Sequence, residues 1–207
     1  MKIIIGNQKG GVGKTTLCIL YANYLAMVKK KDVIILDMDF QESIKNRREE
    51  DKGNKEMVLP YEVIALEAEQ YVSVAPQLDQ TEGVILIDLA GKIDDNSLVP
   101  IYMNAEAVIC PFLYEKITFE STLIFAQVIK HLKPDMPIYF VPNRTKAGVK
   151  YETKEHVNTV LRQFGEIAPE IPDRVMIQRI DTISISEELK SVLEPSFGFL
   201  DKKLSKI

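Results

Sequence analysis

A glycine-rich segment at residues 6–16 separates a short apolar run from a segment with helical spacing. The run at residues 2–6 is mostly isoleucine, and a run of about this length suits a strand that is buried on both faces. After the glycines, apolar side chains recur three and four positions apart, which predicts a helix that begins near Lys14. The helical stripe comprises Leu17, Leu20, Tyr21, Tyr24, Leu25 and Val28. The sequence therefore predicts a strand, a tight turn and a helix in direct succession.

The turn has the composition of a loop that binds phosphate groups. The ordinary pattern is a glycine, four residues and then Gly-Lys-Ser/Thr. Gln8 stands where the first glycine belongs, so the strict pattern fails. The physical requirement is still met, because glycines permit positive φ and successive backbone N–H groups can then surround an anion at the start of a helix. Lys14 would bring a positive charge to the β- and γ-phosphates, and the Thr15 hydroxyl would bind Mg²⁺.

The alternative is a glycine-rich turn that holds no ligand. Against this alternative, the turn combines three glycines, two lysines and two threonines between a predicted buried strand and an amphipathic helix. These residues are Lys9, Gly10, Gly11, Gly13, Lys14, Thr15 and Thr16. We therefore predict a nucleotide site at this turn.

Short runs rich in isoleucine and valine alternate with helix-length segments along the chain. Such alternation predicts an α/β fold, with a mostly parallel, twisted sheet and helices on both faces. The least apolar stretch, residues 41–54, is expected to be a solvated helix followed by a loop, and residues 1–207 are expected to form one domain. The predicted strands are residues 2–6, 33–36, 61–66, 84–87, 107–111 and 138–141.

Charge and cysteine content limit the classes of protein to consider. The chain has 26 basic and 30 acidic residues and a formal net charge of −4, so any contact with nucleic acid or anionic lipid must come from a local patch. Cys18 and Cys110 lie far apart in apolar stretches and are expected to be reduced core residues. The first apolar run is too short for a signal peptide and no stretch suits a membrane span, so a cytoplasmic location is expected.

Residues 9–15 read Lys-Gly-Gly-Val-Gly-Lys-Thr and resemble the deviant Walker A motif, K-G-G-x-G-K-[ST], of the ParA/MinD ATPases. The resemblance implies a P-loop fold that binds ATP or ADP with Mg²⁺, with Val12 and Thr16 among the nucleotide contacts. It also implies that Lys9 reaches the phosphates of a partner copy in a homodimer that encloses ATP. A second positive charge near the γ-phosphate is physically reasonable, because phosphoryl transfer is catalysed chiefly by positioning and charge neutralisation. Lys9 and Lys14 are thus expected to be catalytic.

Three aspartates are expected at the carboxyl ends of strands, where parallel sheets bind ligands. Residues 37–41, Asp-Met-Asp-Phe-Gln, resemble the family's D-x-D-P-Q signature, which implies that Asp39 orients the attacking water and Asp37 supports the magnesium shell. Phe40 stands where the family usually has proline, so hydrolysis could be slower than is typical. Asp88 follows an apolar run in the Walker B arrangement, in which a carboxylate holds Mg²⁺, usually through water.

A predicted strand ends in Pro-Asn-Arg-Thr-Lys, residues 142–146, where the base would be read. Guanine-reading P-loop proteins carry N-K-x-D at a comparable place, and Lys146 stands at the position of the aspartate that accepts from guanine. Asn143 and Arg144 resemble the adenine-contacting turn of the ParA family, which implies ATP as the ligand. A loop asparagine that only favours a turn is the alternative. Residues 171–179 are expected to form a last strand and a loop near the base.

The resemblance covers most of the chain and is strongest to the small ParA type, which partitions plasmids or chromosomes. It implies nonspecific DNA binding in the ATP state, a nucleoid-associated location when DNA is bound, and stimulation by a centromere-binding, ParB-like protein. Two alternatives are a MinD-like ATPase held at a membrane by a basic C-terminal helix and a slow ATP-binding switch for conjugation or protein cargo. The membrane reading is the less expected, because the tail is short. Basic residues considered for DNA contact are Arg144, Lys146, Lys150, Lys154, Lys202, Lys203 and Lys206.

Overall fold

The computed structural model describes residues 1–39, 41–53, 57–89, 91, 95–149 and 151–207. Two residues discussed above lie outside the described residues. They are Phe40, which departs from the family signature, and Lys150, one of the basic residues considered for DNA contact.

Seven strands in the described ranges form one sheet, and every neighbouring pair is parallel. The strands are β1 (Lys2–Ile5), β2 (Val33–Met38), β3 (Glu62–Ala65), β4 (Val84–Leu89), β5 (Ala107–Phe112), β6 (Ile138–Pro142) and β7 (Glu166–Ile167). Their spatial order is β3-β2-β4-β1-β5-β6-β7. Each of the six apolar runs predicted as strands forms one, so the predicted α/β fold with a parallel sheet is confirmed.

Helices cover both faces of the sheet, as the sequence predicts. In the described chain they are α1 (Lys14–Asn23), α2 (Ser43–Lys52), α3 (Tyr71–Asp79), α4 (Val99–Asn104), α5 (Lys116–Leu132), α6 (Lys154–Leu161), α7 (Val175–Gln178) and α8 (Glu187–Leu204). A π-helical segment, Tyr24–Val28, continues α1. One apolar core lies between the sheet and α1 and α8, and a second lies between the opposite face and α3 to α6.

The apolar content of each strand agrees with its place in the sheet. Every residue of β1, β4, β5 and β6 is buried, because helices cover the central strands on both faces. Strand β3 lies at the edge, and its residues alternate between exposed and half-buried. The continuous isoleucine run of β1 therefore suits the central position that it occupies.

The order of the strands reverses on the two sides of β1. The chain leaves β1 toward β2 on one side, and after β4 it crosses β1 to reach β5 on the other side. At such a reversal the connections diverge and leave a crevice beyond the carboxyl ends of the strands, where α/β proteins bind ligands. The glycine-rich turn follows β1 directly and so lies at this crevice.

The predicted last strand at residues 171–179 is wrong. The last strand is the two-residue β7, whereas residues 171–179 contain an isolated bridge between Thr145 and Pro172 and then the short helix α7. The Thr145 N–H donates to the Ile171 carbonyl at 3.1 Å, so this segment pairs with a loop instead of extending the sheet. It does lie beside the turn that was predicted to read the base.

Both cysteines are buried with free thiols, as predicted. Burial is the main cause that raises the pKa of the Cys18 and Cys110 thiols, so both stay protonated in the core. Of the helices in the described ranges, none has both the length and the apolar content to cross a membrane.

Helix α2 lies where a solvated helix was expected. The expectation is wrong for Arg48, whose side chain is buried and anchors the helix. Arg48 is 3% exposed. Its guanidinium donates to the Tyr61 carbonyl at 2.7 Å and to the Thr182 hydroxyl and carbonyl at 2.8 and 3.0 Å. Asp51 completes the network by accepting from the Thr182 N–H at 2.7 Å. The network joins α2 to the loop before α8 and fixes the segment that follows β2.

We expect Arg48→Met to lower the free energy of unfolding by about 2–4 kcal/mol, because the buried Tyr61 and Thr182 carbonyls lose this donor. Arg179→Met is the matched control, since Arg179 is exposed, and it should change stability by less than about 0.5 kcal/mol. Urea unfolding of the three proteins measures both values. Equal losses in the two variants would show that the network does not stabilise α2.

Candidate nucleotide-binding site

The glycine-rich turn leaves the first turn of α1 open to an anion. The helix begins at Lys14, as predicted, and its N-cap is Gly13, which has a φ of 93° and no side chain to accept from the free N–H groups. Gly11 also has a positive φ, 79°, whereas Gly10 does not. No acidic residue lies in the first turn. The unpaired N–H groups and the helix dipole therefore favour a bound phosphate.

The two lysines of the turn lie in different environments. Lys14 is half-buried, and its ammonium donates to the Lys9 carbonyl at 3.3 Å. Burial lowers the pKa of Lys14, while Asp88 and Asp39 act in the opposite direction. Lys9 is exposed. The structure therefore places Lys14 inside the site, near two carboxylates, and leaves the Lys9 side chain at the surface.

Two of the predicted aspartates are neighbours in the sheet. Asp37 is in β2 and Asp88 is in β4, so both lie in the strands themselves and not after them. They are register partners, and Asp88 is also the partner of Ile5, the last residue of β1. Because side chains alternate along a strand, both aspartates point to the face that α1 covers. Their carboxylates thus converge beneath the N-terminus of α1.

The Asp88 carboxylate is unsatisfied at both oxygens. It is 1% exposed, and neither oxygen has a hydrogen-bond partner among the described residues. Burial raises the pKa of Asp88 to about 7, an effect that the Thr15 hydroxyl opposes and the Asp37 charge increases. A buried carboxylate in this state is stabilised by a cation.

The residues present suit magnesium bound together with a nucleotide. Within the described part of the chain, no group of three or more His, Cys, Asp or Glu residues is placed to hold a metal ion. Mg²⁺ needs no such group, since it is usually held by one or two protein carboxylates or hydroxyls together with phosphate oxygens and water. Asp88 and the half-buried Thr15 provide such a set beside the open end of α1.

Asp37 contacts the first turn of α2, which the sequence did not predict. Its Oδ2 accepts from the N–H groups of Ile44 and Lys45 at 2.9 and 3.1 Å, in the first turn of α2. Its Oδ1 is buried and has no partner in the described residues. Burial raises the pKa of Asp37, and these backbone hydrogen bonds oppose the rise. Asp37 therefore fixes α2 with one oxygen and leaves the other oxygen facing no donor.

Asp39 lies just beyond β2 and is half-buried. Its Oδ1 accepts from the Gln41 N–H at 3.0 Å, and its carbonyl accepts from the Glu42 N–H at 2.8 Å. It also lines a cavity of about 300 Å³ together with Asp37. The Asp39 carboxylate is thus open to solvent near Lys14, a suitable place for a group that holds water.

Asn143 contacts the P-loop backbone, which the sequence did not indicate. Its Nδ2 donates to the Val12 carbonyl at 2.9 Å, and its Oδ1 accepts from the Arg144 N–H at 3.0 Å. A Cβ on Gly13 would lie 2.5 Å from that Nδ2, so only glycine fits there. Arg144 is exposed, with a φ of 52°. The predicted adenine contact of this pair stays a prediction, but the turn and the P-loop are neighbours.

The other two predicted nucleotide contacts, Val12 and Thr16, also lie at the turn. Gly91 and Asn7 lie beside the turn as well. Val12 is buried, and Thr16 is half-buried in the first turn of α1. Gly91, after β4, packs so closely that a Cβ would lie 2.8 Å from the Gln8 carbonyl. Asn7 is 2% exposed and accepts from the Lys9 N–H at 3.0 Å. The sequence analysis did not single out Asn7. Its position as a polar residue just after a buried apolar strand could have indicated it.

We expect Asp88→Asn to stabilise the protein when nucleotide and divalent cations are absent. A raised folded-state pKa means that the cost of the buried charge is absent at acidic pH, grows as the pH rises, and is complete above about pH 7. The variant should gain about 2–4 kcal/mol at pH 8 and much less near pH 5.

Thermal unfolding in EDTA at the two pH values measures this gain. Asp135→Asn, at an exposed aspartate, is the control and should show no gain at either pH. A gain for Asp88→Asn that is the same at both pH values would rule out a buried carboxylate as its cause.

Solved structures with this fold include proteins that act in partition and cell division. The chain is similar to a putative plasmid partition protein from Borrelia burgdorferi bound to AMPPNP, with 22% identity, a TM-score of 0.74, and coverage of 100% of this chain and 99% of that chain. It is similar to the MinC:MinD cell division protein complex of Aquifex aeolicus, with 17% identity, a TM-score of 0.72, and coverage of 97% and 96%. Apo McdA of Cyanthece gives 16% identity, a TM-score of 0.70, and coverage of 98% of both chains.

Among curated protein sequences, none matches this chain. The family model of the CobQ/CobB/MinD/ParA nucleotide binding domain, however, matches residues 3–186, which include the P-loop, both buried aspartates and Asn143. With the P-loop geometry above and the ParA/MinD-type structures of the same fold, this match confirms the predicted resemblance. The chain belongs to the CobQ/CobB/MinD/ParA nucleotide-binding family.

Proposed function

We propose that this protein is a magnesium-dependent ATPase that dimerises on ATP and partitions DNA. The observation that carries the proposal is the open N-terminus of α1 beside the unpartnered Asp88 carboxylate. An anion and a cation are each favoured there, at adjacent positions, which is what the phosphates and Mg²⁺ of a bound nucleotide supply. Similarity to a plasmid partition protein bound to AMPPNP supports ATP as the nucleotide.

In this proposal each residue of the site has one task. The N–H groups of α1 and the Lys14 ammonium hold the phosphates, while Thr15 and Asp88 hold Mg²⁺. The metal, when bound, neutralises charge on the phosphate oxygens. Asp39 orients the attacking water from the open side of the site. Asp37 restrains α2 and the segment that carries Asp39, since it accepts from the first turn of that helix.

The exposed Lys9 suits a contact with a second copy of the chain. A lysine that reached only its own nucleotide would be expected to lie in the site, as Lys14 does. The Lys9 backbone is held by Asn7, whereas its side chain is exposed. We therefore assign Lys9 to the partner's phosphates in a homodimer, where the added positive charge would stabilise the transferred phosphoryl group.

Nonspecific DNA binding would use exposed lysine and arginine side chains. Arg144, Lys146, Lys202 and Lys206 are exposed. Lys154 forms an ion pair with Glu170, and Lys203 forms one with Glu166, so these two are less available to phosphates. Contacts of this kind weaken steeply with salt, because bound phosphates release their counterions.

The MinD-like membrane alternative is disfavoured by the packing of α8. The apolar residues of this helix face the core, so the helix has no apolar stripe to place in lipid. The buried apolar side chains of α8 are Leu189, Leu193, Phe197, Leu200 and Leu204. The slow-switch alternative depends on Phe40, outside the described residues, and is decided by the ATP hydrolysis rate with and without a ParB-like partner.

We expect Lys14→Ala and Lys9→Ala to fail at different steps. Lys14→Ala removes a charge from the phosphate site, so nucleotide binding should fall at least about 100-fold. Lys9→Ala should bind nucleotide within about 3-fold of the wild type and lose dimerisation on ATP. Calorimetric titration with ADP and sedimentation velocity with ATP measure the two steps. Normal ATP-dependent dimerisation of Lys9→Ala would show that Lys9 does not act across a dimer.

We also expect binding to nonspecific duplex DNA with ATP and Mg²⁺, but not with ADP or without nucleotide. A rise from 50 to 200 mM salt should weaken this binding by about 10-fold or more. Lys146→Glu should weaken it further, whereas Lys154→Glu should have a smaller effect because Lys154 is paired. Sedimentation with anionic vesicles is the parallel test. Vesicle binding without DNA binding would favour the membrane alternative instead.

A further inference from the structure

Asn7 lies between the P-loop and α5 and uses its whole side-chain amide. Its Nδ2 donates to the Pro111 carbonyl at 2.9 Å and to the Thr122 hydroxyl at 2.9 Å. Its Oδ1 accepts from the Lys9 N–H at 3.0 Å. Pro111 offers only an acceptor and the Lys9 amide only a donor, so the opposite orientation of the amide would break both contacts.

Thr122 holds the Asn7 amide from the side of α5. The Thr122 hydroxyl donates to the Thr118 carbonyl, one turn earlier in α5, at 2.7 Å, so it accepts from Asn7. Thr122 is 0% exposed and Thr118 is 2% exposed, which means that water cannot replace either partner. Helix α5 also packs against Gly6, the residue before Asn7. A Cβ on Gly6 would lie 2.9 Å from the Phe125 ring, so the two are in close contact. Helix α5 therefore supports two successive residues at the start of the P-loop.

The Lys9 backbone N–H points into the protein and not toward a phosphate. Its hydrogen bond to Asn7 fixes the peptide group from which an exposed side chain projects. Ordering a flexible backbone on association opposes binding, and a backbone that is ordered beforehand avoids that cost. The anchored peptide group thus favours any complex that needs the Lys9 side chain at one place.

We propose that Asn7 and Thr122 are positioning residues for Lys9, so that α5 holds the P-loop ready for dimerisation. This inference rests on the proposed role of Lys9 in the ATP-bound dimer. Among the described residues, the N–H groups of the first turn of α1, which would bind the phosphates, make no hydrogen bond to Asn7 or Thr122. The Lys14 ammonium contacts the Lys9 carbonyl, which belongs to the peptide group after the one that Asn7 holds. Loss of the Thr122 hydroxyl should therefore weaken dimerisation and leave nucleotide binding by the monomer nearly unchanged.

The test compares Thr122→Val, which keeps the shape of the side chain and removes the hydroxyl, with two controls. Thr122→Ser keeps the hydroxyl. Ser121→Ala removes a neighbouring hydroxyl of α5 that donates to the Ile117 carbonyl at 3.1 Å in the same manner but does not contact Asn7. Thr122→Ala is a second way to remove the hydroxyl if the valine variant does not fold. All variants are made in the full chain.

The first measurement is amide hydrogen exchange of Lys9 in the nucleotide-free monomer, and the second is dimerisation with a non-hydrolysable ATP analogue and Mg²⁺. We expect Thr122→Val to exchange the Lys9 amide at least about 10-fold faster and to dimerise roughly 5- to 30-fold more weakly. Affinity of the monomer for ADP should stay within about 3-fold of the wild type. Both controls should match the wild type in all three measurements.

Unchanged exchange of the Lys9 amide in Thr122→Val would overturn the inference. Faster exchange of that amide with unchanged dimerisation would overturn it too. The Lys9→Ala variant separates this result from the proposed function. If Lys9→Ala dimerises normally, the cross-dimer role of Lys9 fails. If Lys9→Ala does not dimerise but Thr122→Val does so normally, only the positioning role fails.

Discussion

The nucleotide site is organised around a buried carboxylate that has no hydrogen-bond partner in the described residues. Asp88 is held at the end of β4 by its register with β1 and β2, so it cannot move toward solvent without breaking the centre of the sheet. A charge buried there is costly, and the positive end of α1 and Lys14 offset only part of that cost. The protein without bound nucleotide or metal therefore retains the unfavourable buried charge of Asp88.

The P-loop between β1 and α1 is fixed from both flanks by buried asparagines. Asn7 joins its beginning to β5 and α5, while Asn143 joins its middle to the turn after β6. Asn143 also lies so close to Gly13 that a larger residue there would push the two segments apart. Backbone N–H groups bind phosphate well only when they already point at it, so the Asn143 contact beside the start of α1 preserves the phosphate-binding part of the loop when it is empty. The Asn7 contact holds the Lys9 peptide group instead.

The segment that carries Asp39 is restrained at both ends in the same way. Asp37 holds the first turn of α2 to β2, and Arg48 holds the middle of α2 to Thr182, in the loop before α8. Asp39 lies between β2 and α2, with its carboxylate open to solvent. A short loop between fixed ends can change locally without moving the helix, which suits a residue that must hold water beside a bound nucleotide.

Six of the seven described strands, the turn and the start of α1 could be read from the sequence, because strand and helix periodicity and glycine turns depend on residues close together in the chain. The same local patterns placed Lys9, Lys14, Asp37, Asp39 and Asp88 at the carboxyl edge of a parallel sheet. The same patterns misled at residues 171–179, which bury Ile171 and Ile177 but form an isolated bridge and a short helix instead of a strand.

The tertiary structure alone decided which buried polar groups satisfy one another. Asn7 meets Thr122 across 115 positions, Asn143 meets Val12 across 131, and Arg48 meets Thr182 across 134. A sequence shows that a residue can donate or accept, but the partner is the group that packing brings within hydrogen-bond distance once water is excluded. The sequence by itself therefore determined the chemistry available at the end of β1, and the packing of distant segments determined how that chemistry is held.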